Sequence, residues 1–123
     1  MIICHENNAV EMKVAEPFKR TLKVLLSPIL NSEVTSIAAG LTILPAGGKS
    51  DDHKHHEGEM FYVVSGCGRI RVGGEVEELV PGTIVWGQPG IVHQLINNSS
   101  EILKVLWVLS PPGREAAIIK NKD

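Results

Sequence analysis

Few cysteines and no long apolar run mark this sequence of 123 residues. Its two cysteines, Cys4 and Cys67, lie far apart and form no Cys-x-x-Cys pair. A disulfide framework is therefore not expected, and a reducing cytoplasm fits the sequence. No segment is long and apolar enough to span a bilayer, and residues 1–10 lack the apolar run of a signal peptide. We therefore expect a cytoplasmic protein that does not enter a membrane.

Blocks of basic residues are also missing. The formal net charge is −2 at pH 7, and charged residues of both signs are interspersed. The sequence therefore predicts neither nucleic acid nor an anionic membrane as a partner. Hydrophobic residues make up 43% of the chain, which is ordinary for a globular protein. The length suits one domain, so we expect a single domain over residues 1–123.

Helical periodicity is scarce, whereas glycine and proline recur at short intervals along the chain. Between these turn signals lie short runs rich in branched and aromatic residues. Short strands at this spacing predict an all-β protein, an antiparallel sandwich or barrel. The predicted strands include residues 34–37, 40–44, 60–64, 69–72, 83–86, 92–96 and 102–109.

Local signals predict how some of these strands are connected. The Gly73-Gly74 pair predicts a tight hairpin, because paired glycines tolerate the positive φ of primed turns. Residues 97–100, Asn-Asn-Ser-Ser, predict a second hairpin connection. Residues 11–23 are expected to be extended or irregular, since Pro17 argues against a stable helix. After the Pro-Pro-Gly triplet, residues 114–120 predict a short helix.

Side chains that commonly ligate metals lie in two stretches of the sequence. They are His53, His55, Glu59 and His93. Side chains two apart on a strand share a face, so His53 and His55 point the same way if the chain there is extended, and Glu59 keeps that parity. Imidazoles and one carboxylate suit a divalent first-row transition metal better than calcium or magnesium. If the four meet in space, the protein is built around a metal.

Neighbouring residues offer alternatives to this set. His56 has the opposite parity and is expected to point away. Glu57 has the right parity and is the main rival of Glu59, which we prefer because it begins a predicted strand while Glu57 lies beside Gly58 in a turn. Residues 51–56 could instead form a solvated polar loop. The spaced glutamate and the downstream histidine favour the metal site.

The same two stretches resemble the two signature motifs of the cupin superfamily. Positions of the first motif are taken by Gly47, His53, His55, Glu59 and Gly66, and those of the second by Gly82, Gly90, His93 and Asn97. Gln88 stands where the family has its first proline, and Pro89 beside it is expected to preserve the turn. The resemblance, to a small single-domain protein of the cupin 2 type, implies a double-stranded β-helix (jelly-roll) barrel of two packed antiparallel sheets.

The resemblance also implies a site and a range of activities. It assigns His53, His55, Glu59 and His93 as ligands of one divalent transition metal ion, which could be Fe, Mn, Ni, Zn or Cu. The first functional hypothesis is a metal-dependent enzyme of oxygenase type that acts on a small chelating organic substrate. The alternatives are a metal-dependent isomerase, lyase or decarboxylase acting on a sugar acid or carboxylate, and a non-catalytic cupin that binds a small molecule. No catalytic residue is assigned.

A homodimer is expected as well, because small cupins often pair through N-terminal strands or sheet faces. The apolar residues 22–30 could supply that contact, or they could form an internal strand. Phe61 and Val63 share the parity of Glu59, so we expect their side chains to face an apolar barrel interior. The side chains assigned to the interior or the core are Phe61, Val63, Ile43, Leu95, Val105, Trp86 and Trp107.

Overall fold

The structure is a computed structural model that describes residues 1–52 and 54–122. Nearly all of its regular secondary structure is β-strand. A 3-10 turn at Glu6–Asn8 comes first, and a five-residue helix, α1 (Ala116–Lys120), comes last. None of the described helices has the length and apolar character needed to cross a bilayer. The strands are β1 (Val10–Val14), β2 (Arg20–Leu26), β3 (Ala38–Leu44), β4 (Gly58–Ser65), β5 (Gly68–Val72), β6 (Glu75–Leu79), β7 (Ile84–Gly87), β8 (His93–Ile96) and β9 (Leu103–Ser110).

Two antiparallel sheets are formed by these strands. The larger has the order β1-β2-β3-β9-β4-β7, and the smaller has the order β6-β5-β8. Strand β4 lies between β9 and β7, with Glu59 opposite Leu109 on one side and Gly87 on the other. Consecutive strands β8 and β9 belong to different sheets, so the chain crosses from one sheet to the other between them. The expected jelly-roll barrel of two packed antiparallel sheets is confirmed.

Inward-facing side chains of both sheets form one core. Alternate residues of β9, from Leu103 to Leu109, are buried, which is the period-two pattern of a strand with one face in the core. Burial of each large apolar side chain stabilises the fold by roughly 1.5–3 kcal/mol. The other buried members of the core are Val24, Ala38, Leu44, Phe61, Val63, Ile70, Leu79, Leu95 and Ile118.

Several local predictions are confirmed. Gly73 has a φ of 59° and connects β5 to β6 in a tight hairpin. The helix predicted after the Pro-Pro-Gly triplet is present, and it spans Ala116–Lys120. Residues 20–26 form β2, an internal strand paired with β1 and β3, while Ile29 and Leu30 beyond it are exposed. The internal-strand interpretation therefore holds for most of the apolar run 22–30.

Other local predictions are wrong. Residues 34–37 form no strand, because the chain from 31 to 37 makes turns and bends before β3. Residues 97–100 are not a hairpin, since β8 pairs with β5 whereas β9 pairs with β3 and β4. Ile43 is half-buried and pairs with Lys104, outside the core. Trp86 is 54% exposed, and its indole lies over Gly58, where an added Cβ would come within 2.1 Å of the ring.

The crossing between the sheets is held by Asn97, whose side chain is buried. Its Nδ2 donates to the carbonyl oxygens of Leu44 and Pro45, each at 3.0 Å, and of Glu101 at 2.7 Å. Its Oδ1 accepts from the backbone N and the Oγ of Ser99, at 3.0 and 2.7 Å. One amide therefore connects the end of β3 to the segment between β8 and β9.

Replacing Asn97 with Ala is expected to lower the free energy of unfolding by about 2–3 kcal/mol, because buried carbonyl groups lose their donor. The measurement is equilibrium urea denaturation. The exposed neighbour supplies a matched control, since Asn98→Ala is expected to change stability by less than about 0.5 kcal/mol. Equal midpoints for the Asn97→Ala variant and the unmodified protein would contradict the role given to this amide.

Candidate metal centre

Three of the four candidate ligands meet between the two sheets at one end of the barrel. Glu59 is the second residue of β4, His93 is the first residue of β8 in the opposite sheet, and His55 lies on the segment that leads into β4. One ligand atom from each lies within 4.8 Å of the others. All three residues are buried, with exposures of 7%, 5% and 7% for His55, Glu59 and His93. The topology therefore brings together residues from both sequence motifs.

Glu59 Oε1 is the atom that the two imidazoles share. His93 Nε2 lies 3.0 Å from it and His55 Nε2 lies 3.9 Å from it. The two rings stand edge to face with centroids 4.7 Å apart, and Phe61 packs against His93 at 5.4 Å. His93 Nδ1 is 3.2 Å from the carbonyl oxygen of Ile91. A proton on Nδ1 donated to that carbonyl leaves the Nε2 lone pair directed at the carboxylate, the arrangement that metal-bound histidines use.

This donor set fits a divalent transition metal. Two imidazole nitrogens and one carboxylate oxygen are typical ligands of first-row ions such as Fe(II). A cation among them would relieve the repulsion between the Nε2 lone pair of His93 and the facing oxygen of Glu59. Gly87 makes room for the His93 ring, because a Cβ there would lie 3.3 Å from Nδ1.

The remaining site predictions have different outcomes. His53 lies outside the described residues, so its place in the ligand set stays a prediction. His56 is exposed while His55 is buried, which agrees with the parity argument. His55 faces two carboxylates with its two ring nitrogens. Nε2 faces Glu59, whereas Nδ1 lies 3.9 Å from Glu57 Oε1. The described triad therefore contains Glu59 rather than its rival.

Arg114 is a cation of this site that no sequence motif indicates. Its Nη2 donates to Glu59 Oε1 at 2.7 Å, and its Nη1 contacts His55 Nε2. Its Nε forms an ion pair with Glu57 Oε1 at 3.1 Å. Arg114 follows Glu59 by 55 residues and belongs to neither motif, so spacing could not predict it.

A cavity of about 190 Å³ adjoins the triad. Arg20 is one of its lining residues, and both terminal nitrogens of its guanidinium donate hydrogen bonds. Nη2 donates to Asp51 Oδ1 at 2.8 Å, and Nη1 donates to the carbonyl oxygen of Phe18 at 2.8 Å. Burial lowers the pKa of Arg20, and the charge and hydrogen bond of Asp51 oppose that shift. Arginine nevertheless stays protonated in proteins, so the pair remains ionic. The apolar lining residues include Met12, Leu22, Phe61, Leu95, Trp107 and Leu109.

Comparison with known proteins identifies the family. Residues 40–109 match the family model described as Cupin domain, and this segment contains Glu59 and His93. It spans more than half of the chain, so the protein belongs to the cupin family.

Similar proteins include characterised and uncharacterised examples. An uncharacterized protein of Streptomyces coelicolor is 36% identical over 77 residues, which cover 63% of this chain and 72% of that protein. An (R)-mandelonitrile lyase of Granulicella tundricola is 35% identical over 72 residues, 57% of this chain and 55% of the lyase. The crystal structure of a predicted oxalate decarboxylase from Thermotoga maritima superposes with a TM-score of 0.79 at 19% identity, over 90% of this chain and 100% of that one. At that identity the superposition shows the shared fold.

Replacing His93 with Ala is expected to remove most bound metal while the barrel stays folded, because one of the buried donors is lost. Metal content is measured by elemental analysis of protein purified without chelator or affinity nickel. The same loss is expected for His53→Ala, which tests the residue outside the described part of the chain. Exposed His56 gives the matched control. Full metal occupancy in His93→Ala, or equal loss in His56→Ala, would contradict the ligand assignment.

Proposed function

We propose that this cupin is a metal-dependent enzyme acting on a small organic molecule that chelates the metal through oxygen atoms. The observation that carries the proposal is the buried convergence of His55, Glu59 and His93 beside a cavity. The three residues offer imidazole nitrogens and a carboxylate oxygen within reach of one another, which is the donor type that first-row transition metals bind. Membership of the cupin family agrees with this role.

The chain's own residues would hold the metal and shape the space beside it. Glu59 lies on β4, which pairs with β9, and His93 lies on β8 of the other sheet, which pairs with β5. Rigid backbone therefore positions both side chains. Phe61, Leu95 and Trp107 give the cavity apolar walls, which exclude water and strengthen the electrostatic interactions inside. The bound metal would supply a Lewis acid or, if it is redox-active, a centre for dioxygen chemistry.

Oxygenation is the reaction that the donor set favours. The ligands among the described residues, two histidines and one carboxylate, occur in many non-haem Fe(II) oxygenases, and His53 would add a third imidazole to them. A small chelating compound would bind with two oxygen atoms, and the apolar walls would orient its carbon skeleton.

A lyase or decarboxylase acting on a carboxylate or sugar acid is the second candidate. Similarity to an (R)-mandelonitrile lyase and to a predicted oxalate decarboxylase favours it. Such a reaction needs a Lewis acid and consumes no oxygen. A cupin that binds the small molecule without transforming it would leave both the compound and the oxygen concentration unchanged.

Protein loaded with Fe(II) under anaerobic conditions is expected to consume oxygen once air and a chelating substrate are both supplied. The measurement is oxygen uptake with catechol, a β-diketone or a uronate, with analysis of each compound afterwards. Glu59→Gln is expected to lose the activity, because an amide replaces the charged ligand. Loss of compound without oxygen uptake would replace the oxygenase by the lyase or decarboxylase. If no compound is consumed with iron, manganese or zinc, the proposed enzymatic function is wrong.

We also propose that the protein forms a homodimer through the outer face of β4 and β7. Tyr62, Val64, Ile84 and Trp86 are 40%, 46%, 64% and 54% exposed on these two neighbouring strands. Tyr62 pairs with Ile84 across the two strands, and a two-fold axis would pack this outer face of one copy against the same face of a second.

Introducing a charge at Ile84 is expected to convert the dimer to a monomer, because burying a lysine in an apolar contact is unfavourable. Sedimentation velocity of Ile84→Lys measures the change. Val76→Lys is the matched control, since Val76 is 51% exposed on β6 of the other sheet. A monomeric unmodified protein, or a dimer that survives Ile84→Lys, would contradict this interface.

A further inference from the structure

We infer that Arg114 binds the carboxylate of the substrate, which makes the substrate class a small hydroxy or oxo acid that chelates the metal. This inference rests on the proposed function, because it concerns a ligand held at the same metal. It adds a residue that belongs to neither sequence motif and lies outside residues 40–109, the segment that matches the family model.

The backbone of Arg114 is held in place by its neighbour. Glu115 is 1% exposed, with Oε2 accepting from Ser27 Oγ at 2.6 Å and Oε1 accepting from the backbone N of Gly113 at 2.6 Å. Ile118, one turn further on, packs into the core. The segment that follows β9 is thus anchored on both sides of Arg114, and the long side chain reaches from there to the triad.

The side chain of Arg114 lies between solvent and the candidate ligands. It is 31% exposed, whereas the side chain of Glu59 is 6% exposed. Arg114 and Glu59 line the same cavity, so a molecule bound there would be close to both. Fixed backbone combined with partial exposure is what a substrate-binding group at the mouth of a site requires.

The guanidinium contacts the atoms that a metal would use. Glu59 Oε1 and His55 Nε2 are the acceptors for Nη2 and Nη1. His55 Nε2 has a single lone pair, so metal ligation there would turn Nη1 towards another acceptor, while a carboxylate oxygen of Glu59 can accept from Nη2 and ligate a metal at once. A ligand carboxylate that gives one oxygen to the metal would offer its other oxygen to Nη1 in a charge-assisted hydrogen bond. The ion pair between Nε and Glu57 Oε1 at 3.1 Å would hold the guanidinium beside the site.

Charge favours a single anionic group on the substrate. Among the groups that contact the metal position or Arg114, a divalent ion and the guanidinium carry three positive charges, and Glu57 and Glu59 offset two of them. One carboxylate would balance the remainder. Arg20, the other arginine of the cavity, is already engaged by Asp51 and the carbonyl of Phe18. Arg114 is therefore the cation that a ligand's carboxylate would meet.

A small acid fits the space beside the triad. The cavity of about 190 Å³ has room for a compound of the size of lactate. Lactate has six non-hydrogen atoms. Its hydroxyl and one carboxylate oxygen can chelate a metal while the second carboxylate oxygen accepts from Arg114. Lactamide has the same shape without the negative charge, so the two compounds form a matched pair of probes.

The test is calorimetric titration of lactate and of lactamide into the full chain loaded with Co(II). Arg114→Gln is expected to weaken lactate binding by about 10- to 100-fold, as for a lost charge-assisted hydrogen bond, and to leave lactamide binding unchanged. Arg114→Lys is expected to restore part of the lactate affinity, because an ammonium keeps the charge without the fork. The control Arg69→Gln removes the same charge from β5, where Arg69 pairs with Glu78 outside the cavity.

Cobalt content, measured before each titration, separates this inference from the proposed function. Failure of the unmodified protein to bind Co(II) would overturn both. Cobalt binding with no affinity for lactate would overturn the role of Arg114 and leave the metal site standing. Equal lactate affinity in Arg114→Gln and the unmodified protein would also overturn it, as would equal losses for lactate and lactamide. Selective loss of lactate binding at full cobalt content supports it.

Discussion

The buried carboxylate of Glu59 is the group around which the site is organised. Its Oε1 lies 3.0 Å from an imidazole nitrogen of His93 and 2.7 Å from Nη2 of Arg114. An isolated carboxylate in the barrel interior would cost several kcal/mol, so its position requires positive charge beside it. The groups that contact it come from a strand of the opposite sheet and from the segment after the last strand. One charge therefore connects three parts of the fold.

The jelly-roll topology is what makes this meeting possible. Glu59 is flanked by Gly87 on β7 and Leu109 on β9, which fixes its side chain on the inner face of the larger sheet. The crossing held by Asn97 places β8 in the smaller sheet, and His93 at its start then faces Glu59 across the barrel. A hairpin at residues 97–100 would have placed β8 and β9 side by side in one sheet and separated these residues. Stability of the crossing and geometry of the site thus depend on the same chain path.

The sequence predicted the features that depend on local spacing. The burial of His55 and the exposure of His56 match the expected alternation, although residues 54–57 form no strand, and the glycine pair correctly predicted the β5–β6 hairpin. Which sheet a strand joins depends on long-range pairing, so the turn signal at residues 97–100 does not produce a hairpin there. The site arginine could not be predicted, because Arg114 reaches Glu59 only after the chain has folded.

Exposure on the outer face also escaped prediction. Trp86 has the size and apolar character of a core residue, and alternation alone cannot say which face of a strand is inward. In the structure it lies over Gly58 on the outside of the larger sheet, where the absence of a side chain leaves space for the indole. Tyr62 and Ile84 lie opposite each other in the β4–β7 pairing and also point outward. The register between these two strands therefore brings the apolar side chains together on the outer surface.

The most direct test of the account is a crystal structure of the Co(II)-loaded protein with diffraction data collected at the cobalt absorption edge. The account predicts one strong anomalous peak inside the barrel, within ligand distance of a ring nitrogen of His55, His93 Nε2 and a carboxylate oxygen of Glu59, with Nη1 of Arg114 turned away from His55. A fully loaded crystal whose anomalous peaks all lie on the protein surface would contradict it.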